Sequence, residues 1–504
     1  MELTMKRESL ECCERVFEYC APAEEATETV IPDTMPDVER VLCAGGTAII
    51  RSKEVQDGRV SLTAGVSATV LYTPEGEVGT RCVNAAVPFS INLDAPGVTS
   101  SSLAVCMLTV TGMEAKILNP RKLLIRAVLS VHVECYEHRE LETVCGVESG
   151  EGEQVESLVE TCSVSPVVAV KEKTFTLTDE YRFDGLPQAA ELLWHSVSIV
   201  PGSVRNVGSK LVFGGTVRLN VLYAAEDTGE LCTAAFETEF SQMLETDHEL
   251  TSPDATVYTL LTAEYIDLTT LAGGERGISA EYHLVSQAVI TDSARLNVLS
   301  DCYCNCRELV CEVEELPMIC ERRRRVVRAE ARDTVQAAPQ CAEVLRVFVR
   351  PGEPECQEGT LSCPLSVTVL YRSADGELSS ASARMTATAK AELADGESAA
   401  MVRVVSAEGF AAPSQGALDV RVAVDLELTA ERCSSTGTIA SITDAGGTDT
   451  TGRPSVTIVR AAAGDTLWSL SKKYHSTPEL ISTVNSLGDG APAEGTVLLI
   501  PSIK

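Results

Sequence analysis

Cys302, Cys304, Cys306 and Cys311 form the densest group of potential ligands in the chain. Alternate residues of an extended strand point to one side, so the first three thiols could share a face and hold a soft metal or a redox pair. Structural zinc sites favour roughly two to four residues between paired cysteines, however, and no histidine lies within the cluster. The expectation is free thiols at a domain end, with no metal or other cofactor. Catalytic constellations are also missing. The chain has 6 histidines, no His-Glu-x-x-His and no Gly-x-Ser-x-Gly, so zinc and serine hydrolases lack their parts. The stretch Gly202 to Lys210 imitates a phosphate-binding loop, but its glycines are wrongly spaced and a strand follows where a helix must begin. Carboxylate pairs suited to glycosidase work are too common in so acidic a chain to single out any one. No catalytic residue is assigned, and the chain is not expected to be an enzyme.

A second set of candidates lies near the C-terminus. Val456 to Val459 reads as a short strand, and Ala463-Gly464-Asp465-Thr466 as a turn in which Asp465 can cap the next helix. Leu467, Leu470 and Tyr474 fall on one face of that helix. Thr477-Pro478 starts a second helix, with Leu480, Ile481 and Val484 as its buried face and Asn485 as a left-handed stop. Val497 to Pro501 closes a βααβ unit. On Gly464-Asp465-Thr466-Leu467-Trp468, Leu480-Ile481 with Asn485, and Leu499-Ile500-Pro501, the segment from Val456 to Pro501 resembles a LysM module. The resemblance implies a shallow groove for N-acetylglucosamine-containing glycan. Gly464, Asp465, Thr466 and Leu467 would form one side, with Trp468 beside them, and Asn485, Ser486 and Leu487 the other. Ala463 stands where many LysM members have proline, and His475 where a glycine usually ends the first helix.

The elements upstream are organised by a repeat. Leu62 to Tyr72 has small or apolar residues at every second position and recurs as Leu211 to Tyr223 and Leu361 to Tyr371. Each copy ends in Val-Leu-Tyr and is followed by a Gly-Glu turn, the signature of a half-buried strand entering a hairpin. The copies lie about 150 residues apart, too far for solenoid units of roughly 20–50 residues, so each unit is a domain. A second alternating run supports each copy: Ile125 to Val133, Ile278 to Leu284 and Leu418 to Leu428. The fold class expected is mainly β: three tandem sandwich-like repeats followed by the βααβ module.

The expected boundaries are a lead-in over 1–24, with a helix carrying Val16, Phe17 and Tyr19, then repeats over 25–150, 163–315 and 316–432. An acidic Gly-containing spacer, Ser149 to Glu153, follows the first repeat. The Gly/Ser/Thr/Asp-rich stretch 433–454 reads as a flexible tether to the module at 455–504. Pro32-Asp33 and Pro36-Asp37 make a turn before the first repeat's strands, with Leu186-Pro187 and Pro339 at the corresponding places. The net charge of −32, from 41 Lys+Arg against 73 Asp+Glu, argues against nucleic acid or an anionic membrane as partner. The exception is the run Arg322 to Arg325, with Arg328 beyond it, read as a solvated junction between repeats ahead of the alternative, a docking patch for an acidic partner or for the acidic neighbouring domains. No secretory signal and no membrane span are visible. The 19 cysteines, odd in number and scattered, fit a reducing cytoplasm.

With the two Pro-Asp pairs, the three Val-Leu-Tyr strands and the domain order in view, the repeats resemble the SPOCS domain of clostridial sporulation proteins. The resemblance implies a non-enzymatic scaffold in spore-coat assembly, in the mother-cell cytoplasm at the forespore surface. Its implied partner is the coat morphogenetic ATPase, stage IV sporulation protein A, with the LysM module contributing to the contact. The rival expectation is a protein that binds peptidoglycan or another N-acetylglucosamine-containing glycan through LysM.

Overall fold

Alternation of apolar and polar residues carries most of the chain into strands, and the computed structural model describes residues 3–77, 79–150, 154–246, 250–487 and 492–503. The spacer residues Glu151 to Glu153 lie outside them. The first repeat contains β1 (Leu3–Val30), β2 (Val38–Gln56), β3 (Arg59–Pro74), β4 (Arg81–Asp94), β5 (Leu103–Asn119) and β6 (Lys122–Ser149). The second contains β7 (Val155–Val164), β8 (Val167–Arg182), β9 (Ala189–Val207), β10 (Lys210–Ala225), β11 (Leu231–Glu245), β12 (Asp254–Thr270), β13 (Arg276–Thr291) and β14 (Ala294–Cys304). The third contains β15 (Arg307–Gln336), β16 (Cys341–Pro351), β17 (Glu355–Gln357), β18 (Thr360–Ser373), β19 (Leu378–Lys390), β20 (Glu397–Ser414) and β21 (Ala417–Gly447). The C-terminal module is β22 (Val456–Arg460), α1 (Leu467–Tyr474), α2 (Pro478–Val484) and β23 (Val497–Pro501).

Each repeat is a sandwich of two antiparallel layers. In the first, β2-β3-β4 faces β1-β6-β5, in the second β9-β10-β11 faces β8-β13-β12, and in the third the layers β16-β18-β19 and β15-β21-β20 are joined into one sheet where β19 pairs with β15 at Glu330 and Thr388. The recurring strands are β3, β10 and β18, central in their layers, and their inward faces are buried apart from the half-buried Gly215. The terminal tyrosine has one job in all three copies. Tyr72, Tyr223 and Tyr371 donate from the phenol to the carbonyls of Pro36, Pro187 and Pro339 at 3.3, 3.0 and 3.0 Å, tying the preceding turn to the core. A buried phenol needs such a partner.

The three sandwiches share a centre. Opposite the Leu-Tyr end of each recurring strand the neighbouring strand bulges: Leu42 in β2, Leu193 in β9 and Leu345 in β16 are each skipped by the strand pairing. A β-bulge of this kind re-aims a side chain. These leucines join Leu71, Leu222 and Leu370, the residues before the tyrosines, in one apolar cluster contributed by all three repeats. Trp194 lies over Gly45 so closely that a Cβ there would meet its ring at 2.1 Å, and it packs on Phe348 with centroids 4.9 Å apart. Buried polar contacts add to the union. Gln287 exchanges two hydrogen bonds with the Cys106 backbone at 3.0 and 2.9 Å, and Arg350 donates to the Ala44 carbonyl at 2.8 Å.

Several expectations are corrected. The lead-in is not a separate helical segment, since β1 pairs with β6 along its length, from Leu3 opposite Ser149 to Val30 opposite Lys122. A bulge at Val16 turns both Val16 and Phe17 toward the core, so adjacent apolar residues imitate helical spacing. Strand pairing starts the second repeat at Val155 and carries the third from Arg307 to Gly447, beyond the expected 163–315 and 316–432. The stretch 433–447 is thus the outer half of β21 rather than a tether. Small polar residues alternate there with Ile439, which is wholly buried, and β15 supplies the backbone partners. The arginine run lies inside β15. Arg322 pairs with Glu431, its Nε donating at 2.8 Å, and Arg324 with Asp254 of the second repeat at 3.0 Å. Opposite charges supplied by distant strands make this a packed seam rather than a solvated junction.

Beyond the sandwiches, the paired ends of each repeat run on as three two-stranded ribbons. Val144, Leu299, Cys302 and Ile439 meet where the ribbons converge.

Candidate functional site on the docked C-terminal module

The module is small, with Ala461, Leu470, Ile481, Leu498 and Ile500 as its buried core and Leu467, Tyr474 and Leu487 packed against it. Helix α1 is capped by Thr466 rather than by the expected Asp465. The Thr466 hydroxyl accepts from the Ser469 amide at 3.0 Å, and Ser469 Oγ accepts from the Thr466 amide at 3.0 Å. Asp465 instead accepts from the Ala462 amide at 2.8 Å and so closes the turn. Helix α1 ends at His475 in the left-handed conformation, with φ 55°. At the end of α2 the left-handed residue is Ser486, with φ 51°, whereas Asn485 has φ −98°. Val484, expected to be buried, is 44% exposed.

Of the predicted groove residues, Leu467 and Leu487 come together on the module core. The polar ones are committed internally. The Asn485 amide donates to the carbonyls of Ile481 and Leu499 at 2.8 and 2.7 Å, and its oxygen accepts from the Leu499 amide at 2.8 Å. Gly464, Thr466 and Ser486 remain exposed along the two loops.

Trp468 points elsewhere. Its indole donates to the Asp301 carboxylate at 2.8 Å, and its ring meets Tyr303 edge to face with centroids 4.9 Å apart. Lys472, one turn further along α1, forms an ion pair with Asp301 at 2.6 Å. Tyr303 and Asn305 both donate to the Ser476 carbonyl, at 2.9 and 3.2 Å. The module therefore sits on the tip of the second repeat's ribbon. The connecting segment is pinned there too. The Thr448 amide donates to the Cys306 carbonyl at 2.9 Å, and Arg453 bonds the Asn305 carbonyl.

Asp301, Tyr303 and Asn305 escaped the sequence reading although they interleave the cysteines that drew it. Strand alternation splits the stretch. Cys302 faces the ribbon junction, with its sulfur 3.4 Å from that of Cys311, and the odd-numbered residues face the module. Cys304 and Cys306 form a separate contact at 3.4 Å. The hydrogen bond between Cys302 and Cys311 raises the first thiol and lowers the second. At His475, burial and the nearby Arg453 charge hold the imidazole below its ordinary pKa.

The family model of the SipL SPOCS domain matches residues 37–118, and that of the LysM domain matches residues 460–501. The chain carries a SipL-type SPOCS domain and a C-terminal LysM. It is thus similar to a SipL-like protein, and both domains are of a binding rather than a catalytic type. The SPOCS match spans the bulged Leu42 and Tyr72, features that recur in the other two repeats. No curated protein and no solved structure matches the chain. Among the described residues no helix is long and apolar enough to cross a membrane.

Proposed function

We propose that the chain is a non-enzymatic scaffold of spore-coat assembly that links the coat morphogenetic ATPase, stage IV sporulation protein A, to the forespore surface in the mother cell. The SPOCS and LysM matches supply the sporulation setting. The observation that carries the protein-binding reading is the state of the groove. The side chains of Asp465, Thr466 and Asn485, which would address an acetamido group, are bonded within the module. What the loops then present is the half-buried Leu467 and Leu487 beside the exposed Gly464, Thr466 and Ser486, a surface in which the two leucines can serve as apolar anchors for a protein partner. The same residues, Gly464 to Leu467 and Asn485 to Leu487, are proposed as the contact.

The second reading, a peptidoglycan-binding protein, is favoured by the LysM match itself. Titration of the full chain with the purified ATPase and, separately, with soluble chitin or muropeptide fragments decides between them. The scaffold reading expects ATPase binding that weakens in Leu487→Ala, with no submillimolar glycan affinity. Glycan binding without ATPase binding overturns it.

A further inference from the structure

Strands β1 and β6 bring Glu18 directly opposite Glu134, and strand alternation puts His132 on the same face, two residues before Glu134. Like charges opposed across a ladder destabilise it unless a cation stands between them. Arg15 answers part of that need, donating to Glu134 at 2.9 Å and lying 3.2 Å from Glu18. Glu134 is 2% exposed, and its second oxygen accepts from Tyr136 at 2.8 Å. His132 has no such settlement. Its Nε2 is buried with no hydrogen-bond partner, 3.7 Å from a Glu134 oxygen and 3.8 Å from a Glu18 oxygen.

Those separations are too long for hydrogen bonds. They are a few tenths of an ångström wider than the ~3.4 Å between two ligands that each stand ~2.1 Å from a tetrahedral ion. The three donor atoms, one each from Glu18, His132 and Glu134, all lie within 4.8 Å of one another. Glu353, from the third repeat, lines the same cavity as His132. Counted with a neutral imidazole, three carboxylates against one guanidinium leave a double negative charge. A divalent cation balances it. The cavity, about 450 Å³ between the repeats, gives an ion a way in and room for water as a further ligand.

We propose that Glu18, His132 and Glu134 form a binding site for a divalent transition ion of the zinc type, with the Glu353 carboxylate close by. One nitrogen and two carboxylate oxygens suit such an ion. Bound there, the ion would join the first repeat's outer layer to the third repeat, at a place the three-repeat centre does not reach.

The test uses the full chain, stripped with chelator and titrated with cobalt chloride as a spectroscopic stand-in for zinc. The expected result is one equivalent of cobalt per chain, with weak ligand-field absorption rather than strong thiolate bands. His132→Ala and Glu18→Gln should each weaken that binding by at least about tenfold, the lower end of what even outer-shell partners contribute. Glu18→Gln replaces a solvent-facing carboxylate by its own shape, so it decides the matter if His132→Ala does not fold. Absence of stoichiometric binding, or cobalt held equally well by Glu18→Gln, overturns the site.

Discussion

The centre shared by the three repeats and the tip that holds the LysM domain are both contacts between separately folded parts, but they are built from opposite materials. At the centre, Leu42, Leu71, Leu193, Leu222 and Leu370 are all nearly or wholly buried, and little there is polar. At the tip, one carboxylate, two aromatic rings and one carbonyl do most of the work, and Asp301 and Lys472 still meet solvent. Separating the repeats would expose this apolar cluster to water and break the buried Gln287 bridge, so they are held together more firmly than the tip. A contact of a few polar groups can open while everything on either side stays folded. The chain thus has one firm union and one that can be broken.

The strongest challenge to this contrast is Leu222→Ala. Leu222 is fully buried among leucines from the other repeats, and its truncation should cost about 2–5 kcal/mol. In urea unfolding, the transition of all three repeats should move together. Loss of the second repeat's transition alone would show that the centre does not couple the lobes.

Asp301→Ala should act at the tip alone. Removing the acceptor of Trp468 and the partner of Lys472 should weaken docking by about 1.5–3 kcal/mol, the range for hydrogen bonds to a charged group. The expected signs are a red-shifted Trp468 emission and faster proteolysis between Gly447 and Val456, with the urea midpoint of the repeats unchanged. A shifted midpoint would mean that the tip also supports the body.

The smallest effect sharpens the picture at His475. A residue other than glycine in the left-handed region costs roughly 1 kcal/mol, so His475→Gly should stabilise the module by about that amount. The imidazole also titrates. Because its folded pKa is lowered, the unfolded module takes up the proton first, and module stability should decline as pH falls below about 6.5, the ordinary histidine value. Thermal melts at pH 7 and pH 5 should show a wider gap for the native chain than for His475→Gly.

Much of this was legible in the residues. The period-2 runs ending at Tyr72, Tyr223 and Tyr371 disclosed the repeat, and Gly464 to Trp468 with Asn485 disclosed the module. Contacts between strands far apart in the chain were not legible. Pairing with β6 made a strand of residues 3–30, and pairing with β15 made one of 433–447. Neither pairing leaves a local mark beyond scattered residues such as Ile439. Trp468 was picked out as a binding residue, but its partners Asp301 and Tyr303 lie more than a domain's length of chain away. Glu18 and His132 are likewise ordinary until the strand register sets them side by side.

The pinned segment between β21 and β22 has a consequence for competition. Residues 448–455 reach at most ~30 Å when fully extended, so a LysM domain that leaves its seat stays close to it. Its effective concentration at the tip is on the order of millimolar. A partner that needs the Trp468 face must therefore outcompete a neighbour that never diffuses away, and its apparent affinity falls by the fraction of time the seat is filled. The length of this short segment, as much as any side chain, sets the concentration at which such a partner can take hold.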